Sequence, residues 1–330
     1  MMLDRSTLND ILARLPSVRV CVVGDLCLDA YWRADMRLSR LSRETPHHPL
    51  PVVSERYSPG GGGNVVANLA ALGVGKVLPV SAVGPDWRGF LLRKCLKDVG
   101  VTEEYIAEGA NIVTPCYCKP LRGGISDVVY EDPRLDFENR APISEELEAA
   151  VLQNLESASE NADVIAVCDQ LEYGVVTPAV RKRLCELGKK MPVVADSRDR
   201  IALYENVIVK PNEVEAAAAT GCPADAPALS AERLSEKNRA PAIVTVGEKG
   251  AYWCENGRAV LVPAVKTEPP IDIVGAGDTF LSAFCAAFAS GAPGGTAVAF
   301  ANLASSVTVG KIGVTGTATG DELRLALCRL

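Results

Sequence analysis

Short apolar runs recur along the chain, and each is closed or followed by a glycine or a polar residue. Such runs are typical of strands that are buried on both faces of a parallel sheet. Stretches with the apolar spacing of an α-helix separate most of the runs, so the pattern predicts a three-layer α/β/α sandwich around a mainly parallel sheet. The predicted strands lie at residues 19–25, 77–83, 163–168, 192–196, 206–209 and 242–246.

Two segments interrupt this alternation. Residues 34–53 and 104–136 carry β-prone residues and prolines but few helix signals. We predict that they pair as a small antiparallel sheet, a lid over one end of the main sheet. Two ordinary surface hairpins are the alternative. The predicted α/β core then comprises residues 1–33, 54–103 and 137–330.

A glycine-rich loop precedes an apolar helix near the C-terminus. Its sequence is Gly275-Ala276-Gly277-Asp278, and the helix is predicted from residue 279 to 289. Glycine lets backbone N–H groups turn toward one point, and the N-terminus of a helix attracts anions. Asp278 is then either a helix cap or a general base that takes a proton from a hydroxyl while the loop holds a phosphoryl group.

Other polar clusters follow other predicted strands, which is where ligands bind in open α/β sheets. Asp25 and Asp29 follow the first strand. Asn64 and Asn68 follow a run of glycines at residues 60–63 and share one face of a helix. Carboxylate and amide groups suit sugar hydroxyls, although asparagines also serve as helix caps.

Two later clusters point to a nucleotide and its metal ion. Asn212 and Glu215 are three residues apart after a strand, so the carboxylate could hold Mg²⁺ through water, or the pair could simply begin a helix. Thr245, Gly247 and Gly250 follow the next strand. They could line the phosphates and ribose of a nucleotide, or form a hairpin turn.

The composition narrows the class of protein. The 330 residues are 48% hydrophobic and carry a formal net charge of −7, which supports a sizeable core and argues against nucleic acid or an acidic membrane as partner. The sequence shows no run of about 18 uncharged apolar residues and no signal-peptide pattern. Its eleven cysteines lack disulfide-like or zinc-like spacing. We therefore expect a cytoplasmic protein with free thiols.

Together these segments resemble the ribokinase-like (PfkB) carbohydrate kinases over nearly the whole chain. The resemblance implies a sandwich core with a β-sheet lid that transfers the γ-phosphoryl group of ATP, with Mg²⁺, to a sugar hydroxyl. Four motifs in the order of the family carry it: the glycine run before Asn64, the Asn212 and Glu215 pair, the Thr245 and Gly247 turn, and the loop ending at Asp278.

The motifs assign candidate roles. The resemblance implies that Asp278 is the base and that Gly275, Ala276 and Gly277 form the anion hole. Asp272 matches a ligand of a monovalent cation such as K⁺, although the next two residues are not the usual threonines. The sugar-binding candidates are Asp25, Asp29, Gly60, Gly61, Asn64, Asn68 and Arg134. The nucleotide-binding candidates are Lys210, Asn212, Thr245, Gly247, Gly250 and Asn302, with Glu215 holding Mg²⁺ through water.

Within the family, the chain is similar to the branch that phosphorylates D-glycero-D-manno-heptose 7-phosphate. The Gly24-Asp25 pair, Asp29 and the Tyr31-Trp32 pair match that branch. We therefore expect a sugar or sugar phosphate as acceptor and, because many relatives pair their lids, a homodimer through the lid. The alternatives are another sugar or nucleoside kinase, and a non-catalytic binding protein on the same scaffold. The candidate cations for a phosphate on the acceptor are Lys119, Arg122, Arg134, Arg198 and Arg200.

Overall fold

The computed structural model describes residues 3–329 of the chain, and helices and strands alternate through most of this range. The strands are β1 (Arg19–Gly24), β2 (Leu26–Asp35), β3 (Val52–Gly61), β4 (Lys76–Val83), β5 (Ile106–Glu108), β6 (Cys116–Gly123), β7 (Tyr130–Glu131), β8 (Leu135–Phe137), β9 (Val164–Asp169), β10 (Val193–Ser197), β11 (Ile208–Val209), β12 (Ala242–Thr245), β13 (Gly250–Glu255) and β14 (Arg258–Pro263). The helices are α1 (Arg5–Arg14), α2 (Gly62–Ala71), α3 (Trp87–Asp98), α4 (Glu145–Ser159), α5 (Pro178–Leu187), α6 (Glu213–Thr220), α7 (Pro227–Asn238), α8 (Ala276–Ala289), α9 (Gly294–Thr308) and α10 (Gly320–Leu327).

Nine strands of the described chain form a large sheet in the order β14-β13-β12-β11-β10-β9-β1-β4-β5. The pairs from β12 to β5 are parallel, whereas β12–β13 and β13–β14 are antiparallel. All six strands predicted from the apolar runs belong to this sheet. β1 lies between β9 and β4, and later strands of the chain are added on both sides of it. The carboxyl edge of the sheet beside such a switch in strand order is the usual ligand site of an open α/β sheet.

Helices cover both faces of the large sheet. Val20 and Val22 of β1 pack into a core that includes residues of α1, α2, α8 and α9. Cys21 and Val23 of the same strand pack into a second core with residues of α4, α5 and α7. Successive side chains of a strand point to opposite faces of a sheet, so the two cores are separate layers. The predicted α/β/α sandwich is confirmed.

A small sheet has the strand order β3-β2-β6-β7, with β8 also paired to β6. It is not wholly antiparallel as predicted, because β2 and β6 run parallel. Its two longest strands also lie mostly in segments that the sequence assigned to the core, since β2 spans residues 26–35 and β3 spans 52–61. The division into core and lid segments stays a prediction.

The small sheet is connected to the large sheet at the carboxyl edge of the large one. β1 ends at Gly24 and β2 begins at Leu26, and β3 leads directly into α2. Residues that follow β1, β10 and β11 therefore come close to α2 and to the start of α8. Among the helices of residues 3–329, none combines the length and the apolar character that a membrane span requires.

Candidate active site

The start of α8 is a turn with unpaired N–H groups. Gly275 caps the helix in the left-handed region at φ +79°, which glycine adopts without strain. A Cβ at this position would lie 2.7 Å from Nδ2 of Asn64, so the close approach also requires glycine. Ala276 begins the helix, and the N–H groups of Gly277 and Asp278 lie in its first turn, where no helical acceptor exists. Together with the helix dipole they form a site for an anion.

Asp278 lies half-buried in this turn and does not cap the helix, because the capping residue is Gly275. Its Oδ2 accepts a hydrogen bond from Nδ2 of Asn64 at 2.9 Å. Burial raises the pKa of Asp278 most, the Asn64 bond lowers it, and Asp196 raises it further, with a net pKa of about 7. A carboxyl group with such a pKa can accept a proton near neutral pH, as a general base must.

Lys210 places a positive charge beside the turn. It is 3% exposed, its Nζ lies 2.9 Å from Oδ2 of Asp196, and the same Nζ lies 3.8 Å from where a Cβ on Gly277 would be. Burial lowers the pKa of Lys210, but neighbouring carboxylates led by Asp196 raise it overall, so the side chain is a cation. The sequence analysis did not select Asp196 as a site residue. Asp196 ends the apolar run at residues 192–196, much as Asp25 ends the first apolar run.

Asp29 on β2 lies close enough to Asp278 to raise the pKa of that group. Its Oδ2 accepts hydrogen bonds from Nζ of Lys119 at 3.4 Å and from Oγ1 of Thr315 at 3.3 Å. Burial raises the pKa of Asp29 more than Lys119 lowers it. Gly60 allows β3 to approach this carboxylate, since a Cβ there would lie 2.8 Å from Cγ of Asp29. The contact of Asp29 with a sugar hydroxyl stays a prediction.

Three cations, here named the cation cluster, lie near Asp29 or near Tyr31, two residues later on the same strand: Arg56, Lys119 and Arg134. Arg56 and Lys119 stack on the ring of Tyr31, at 4.0 and 4.7 Å from its centre, and Arg134 stacks on Tyr117 at 4.3 Å. Strand register pairs Tyr31 with Arg56 on one side and with Lys119 on the other, and residues paired in this way share a face. Sequence reasoning missed Arg56 and Thr315, because neither register nor loop position is visible in the sequence.

The other predicted phosphate ligands are engaged or lie elsewhere. Arg200 forms hydrogen bonds with the buried carboxylate of Asp169, so it is a structural residue. Arg122 pairs with Asp132 at 2.9 Å. Arg198 is exposed after β10. Arg134 also pairs with a carboxylate, since its guanidinium donates to both oxygens of Asp136 at 2.6 and 2.7 Å. Lys119 and Arg134 are nevertheless the two candidates close enough to Asp29 to lower the pKa of that carboxyl.

Asp25 follows β1 as predicted, but its carboxylate holds a loop. It accepts hydrogen bonds from the N–H groups of Gln170, Leu171 and Val175 at 3.1, 2.9 and 2.9 Å. Burial is the main cause that raises its pKa to about 6. Both oxygens of Asp25 are engaged and the residue is 2% exposed, so its carboxylate holds this loop, and a contact with a sugar stays a prediction. The donors are backbone groups 145 to 150 residues away, which leave no signal in the sequence.

Of the two asparagines on α2, Asn64 reaches Asp278 and Asn68 does not. Asn68 is fully buried, and its Nδ2 donates to the backbone oxygen and to Oδ1 of Asn64 at 2.9 and 3.1 Å. Asn68 therefore lies behind Asn64, away from its predicted sugar contact. Gly61, with φ +53°, is the turn that leads into α2.

Asn212 and Glu215 form a capping box at the start of α6. Oδ1 of Asn212 accepts from the N–H groups of Val214 and Glu215, and Oε2 of Glu215 accepts from the N–H of Asn212, each at 2.9 Å. The pair thus begins a helix, the simpler of its two predicted roles. No hydrogen bond within residues 3–329 engages the other carboxylate oxygen of Glu215, which fits water-mediated contact with Mg²⁺. In that range no group of three or more acidic, histidine or cysteine side chains could hold a metal alone.

The remaining nucleotide candidates lie at and after the end of β12 and on α9. Thr245 bridges to Asn212, and Gly247 and Gly250 adopt positive φ values of 56° and 109° in the turn between β12 and β13. Asn302 donates from Nδ2 to two carbonyl oxygens of β14 at 3.0 and 3.1 Å, so its amide supports the strand. The contacts of these residues with a nucleotide stay predictions.

The side chains that follow Asp272 supply no oxygen to a monovalent cation, so a site there would rest on Asp272 and backbone oxygens, and it stays a prediction. Its Oδ1 accepts from the N–H of Val274 and its Oδ2 from the N–H of Gly313, both at 3.0 Å. Ile273 and Val274 are 71% and 54% exposed, and their side chains carry no oxygen. We therefore derive no step that involves K⁺.

Comparison with curated proteins gives relatives along nearly the whole chain. The family model described as "pfkB family carbohydrate kinase" matches residues 19–319. A "Bifunctional protein HldE" from Syntrophotalea carbinolica is 33% identical over 335 residues, covering 98% of this chain and 66% of the relative. A protein of the same name from Citrifermentans bemidjiense is 34% identical over 331 residues, covering 97% and 66%. The chain thus spans 66% of the length of these relatives.

Solved structures share the fold. Arabidopsis thaliana ribokinase complexed with ribose and ATP has a TM-score of 0.68 at 21% identity, with 94% of this chain and 98% of that chain covered. Escherichia coli phosphofructokinase-2 in complex with potassium has a TM-score of 0.72 at 21% identity, with 94% and 99% covered. The expected ribokinase-like fold is therefore confirmed. With the family model matched over most of its length, this chain belongs to the pfkB family of carbohydrate kinases.

Proposed function

We propose that this chain transfers the γ-phosphoryl group of ATP to a hydroxyl of a sugar or sugar phosphate, with Asp278 as the general base. One observation carries the proposal: a carboxylate whose pKa is about 7 lies in the first turn of α8. The N–H groups of that turn and the nearby Lys210 offer positive charge at the same point. A base and an anion site side by side are what phosphoryl transfer to a hydroxyl requires.

The proposed reaction has one displacement step. Asp278 takes the proton of the acceptor hydroxyl as the hydroxyl oxygen forms a bond to the γ-phosphorus, and the bond between that phosphorus and the β–γ bridging oxygen breaks to release ADP. The N–H groups of Gly277 and Asp278, together with Lys210, stabilise the charge on the transferred group. Bound Mg²⁺ would neutralise phosphate charge, and Glu215 would hold it through water.

The cation cluster supports an acceptor that already carries a phosphate. Lys119 and Arg134 lie near Asp29, the carboxylate to which we assign a sugar hydroxyl. Arg56 shares the ring of Tyr31 with Lys119. Guanidinium and ammonium groups are the usual ligands of phosphate oxygens. Heptose 7-phosphate is the specific acceptor that we propose, because of the similarity to the heptose 7-phosphate branch.

An ADP-release assay with a panel of acceptors tests the proposed function. The panel includes heptose 7-phosphate, its unphosphorylated sugar, hexose phosphates and nucleosides. We expect turnover with a sugar phosphate, and a decrease of roughly 10²- to 10⁴-fold in Asp278→Asn. Asp10→Asn, which removes an exposed carboxylate, is the matched control and should keep full activity.

Two outcomes would contradict this function. Near-normal turnover in a folded Asp278→Asn variant would remove Asp278 from the role of base. No turnover with any acceptor, together with calorimetric binding of a sugar or of ATP, would instead indicate the non-catalytic binding protein. Turnover with a nucleoside alone would retain the kinase activity and reject the acceptor class.

A further inference from the structure

A chain of hydrogen bonds runs from Thr279 on α8 to Asp278 through the two asparagines of α2. Oγ1 of Thr279 donates to Oδ1 of Asn68 at 3.2 Å. Nδ2 of Asn68 donates to Oδ1 of Asn64 at 3.1 Å, and Nδ2 of Asn64 donates to Oδ2 of Asp278 at 2.9 Å. Thr279 and Asn68 are fully buried. In each of these three hydrogen bonds, the donor belongs to the residue that is farther from Asp278 along the series.

Groups outside the two asparagine amides set the direction of this chain. The backbone oxygen of Asn64 accepts from the amide nitrogen of Asn68 at 2.9 Å, and a carbonyl can only accept. This contact turns the amide oxygen of Asn68 toward Thr279, whose hydroxyl supplies the donor for that oxygen. Asn68 therefore has one orientation in which all of its contacts are hydrogen bonds.

The orientation of Asn68 in turn determines that of Asn64. If the amide of Asn64 reversed, its oxygen would face the carboxylate of Asp278 and its nitrogen would face Nδ2 of Asn68. Two acceptors and two donors would then oppose each other in a buried place, which is unfavourable. The observed orientation gives Asp278 a donor and leaves its Oδ1 for another partner.

We propose that Thr279 and Asn68 are positioning residues that fix the amide of Asn64 with its N–H group toward Asp278. The inference rests on the proposed role of Asp278 as the base. The fixed N–H group holds Oδ2, orients the carboxylate so that Oδ1 meets the acceptor hydroxyl, and favours the ionised form that accepts a proton. Neither Thr279 nor Asn68 contacts the acceptor.

The other groups that face Asp278 come from several elements, and changes at Thr279 or Asn68 leave all of them in place. A shift in pH dependence in the charge-neutral Thr279 variants therefore reports the bond from Asn64, whereas Asn68→Asp also adds a carboxylate whose charge raises the pKa of Asp278. These groups are Asp29 on β2, Asp196 on β10, Lys210 after β11, and the buried thiols of Cys27 and Cys168.

Three substitutions and two measurements test the proposal. Thr279→Val removes the hydroxyl and keeps the volume, Thr279→Ser keeps the hydroxyl, and Asn68→Asp replaces the donor to Asn64 by an acceptor. The measurements are the acid limb of the pH profile of kcat/KM and the ¹³C NMR titration of labelled aspartate carboxyls, with Asp278→Asn to assign the signal. We expect the apparent pKa of Asp278 to rise by roughly 0.5–1 pH unit in Thr279→Val, and further in Asn68→Asp. Thr279→Ser should match the wild type.

Thr114→Val is the matched control. Thr114 is fully buried. Its hydroxyl forms hydrogen bonds with the backbone of Gly84 and with none of the four residues that lead from Thr279 to Asp278. It should lose thermal stability with no change in the titration of Asp278.

Folded Thr279→Val and Asn68→Asp variants with the wild-type titration would overturn the proposal. If Asn68→Asp does not fold, the Thr279→Val and Thr279→Ser pair decides alone. If the wild type turns over no acceptor, the NMR titration still tests the positioning role, so this proposal and the proposed function fail separately.

Discussion

Asp278 occupies a position that costs folding free energy. Its pKa is about 7, raised from the ordinary 3.8 mainly by burial. At a pH between these two pKa values, Asp278 keeps its proton in the folded protein but has released it in the unfolded chain. The contribution of Asp278 to the free energy of unfolding is therefore greatest below about pH 4, falls as the pH rises to about 7, and stays low above it.

We predict that Asp278→Asn stabilises the protein at alkaline pH while it abolishes most activity. The neutral amide avoids the burial of a charge, so the free energy of unfolding should rise by roughly 2–4 kcal/mol at pH 8. The gain should shrink toward zero near pH 4. Urea unfolding at several pH values measures it, with Asp10→Asn as the control for loss of an exposed carboxylate. A stability difference that does not vary with pH would contradict the raised pKa.

Residue roles were predictable where the partners are near in sequence. The capping box of Asn212 and Glu215 joins residues three positions apart, so the spacing indicated the start of a helix as one of two roles, beside a contact with Mg²⁺. Asp25 was assigned to the sugar because it follows a strand, but its partners are backbone N–H groups from a loop after β9. A sequence shows which residues are polar, and only the folded chain shows which of them are already engaged.

At the scale of elements, strands buried on both faces were the most readable. β1, β4, β9 and β10 are mostly apolar and are buried except for the first residue of β1 and of β4, because helices cover both faces of the large sheet. The sequence did not reveal β2 as a strand of the small sheet. Its first six residues are all buried, so its hydrophobic pattern resembles that of β1, the core strand before it. Which sheet a strand joins depends on long-range pairing, which hydrophobic pattern does not encode.

β6 provides an internal comparison for the acceptor phosphate. Lys119 lies beside Asp29, whereas Arg122, three residues later, pairs with Asp132. Because Lys119 and Arg122 are an odd number of residues apart on one strand, their side chains lie on opposite faces of the sheet. We predict that Lys119→Met raises KM for a phosphorylated acceptor by roughly tenfold or more, as expected for loss of a charge-assisted hydrogen bond, whereas Arg122→Met leaves it unchanged.

The unphosphorylated form of the same sugar separates phosphate recognition from general damage. Steady-state kinetics should show a smaller change in its KM for Lys119→Met, because that sugar has no phosphate to lose. Equal losses for both sugars would indicate that Lys119 mainly supports Asp29. Equal effects of the Lys119 and Arg122 substitutions would show that β6 contributes only net charge.

At the scale of the whole molecule, a loop after α9 joins the small sheet to the anion site. The carbonyl of Gly313 accepts from Nη2 of Arg56 at 3.3 Å, and its N–H donates to Asp272, three residues before Gly275. Thr315 in the same loop donates to Asp29. The acceptor site therefore depends on both sheets and on this loop. The contacts that join these segments appear only in the folded chain.

The small sheet also offers an exposed edge. β3 is the outer strand of that sheet, its first five residues are all exposed, and Val53 and Tyr130 are 52% and 56% exposed. Unpaired edge strands with apolar side chains favour association. We therefore propose that a second copy of this chain covers this sheet.

Light scattering coupled to size exclusion measures the association directly. We predict a dimer for the wild type and a monomer for Val53→Glu, because a charge on the edge disfavours pairing. Leu261→Glu, on the outer strand of the large sheet where Leu261 is 40% exposed, is the control and should leave the dimer intact. A monomeric wild type would reject the dimer. A dimer that Leu261→Glu disrupts and Val53→Glu does not would place the interface on the large sheet instead.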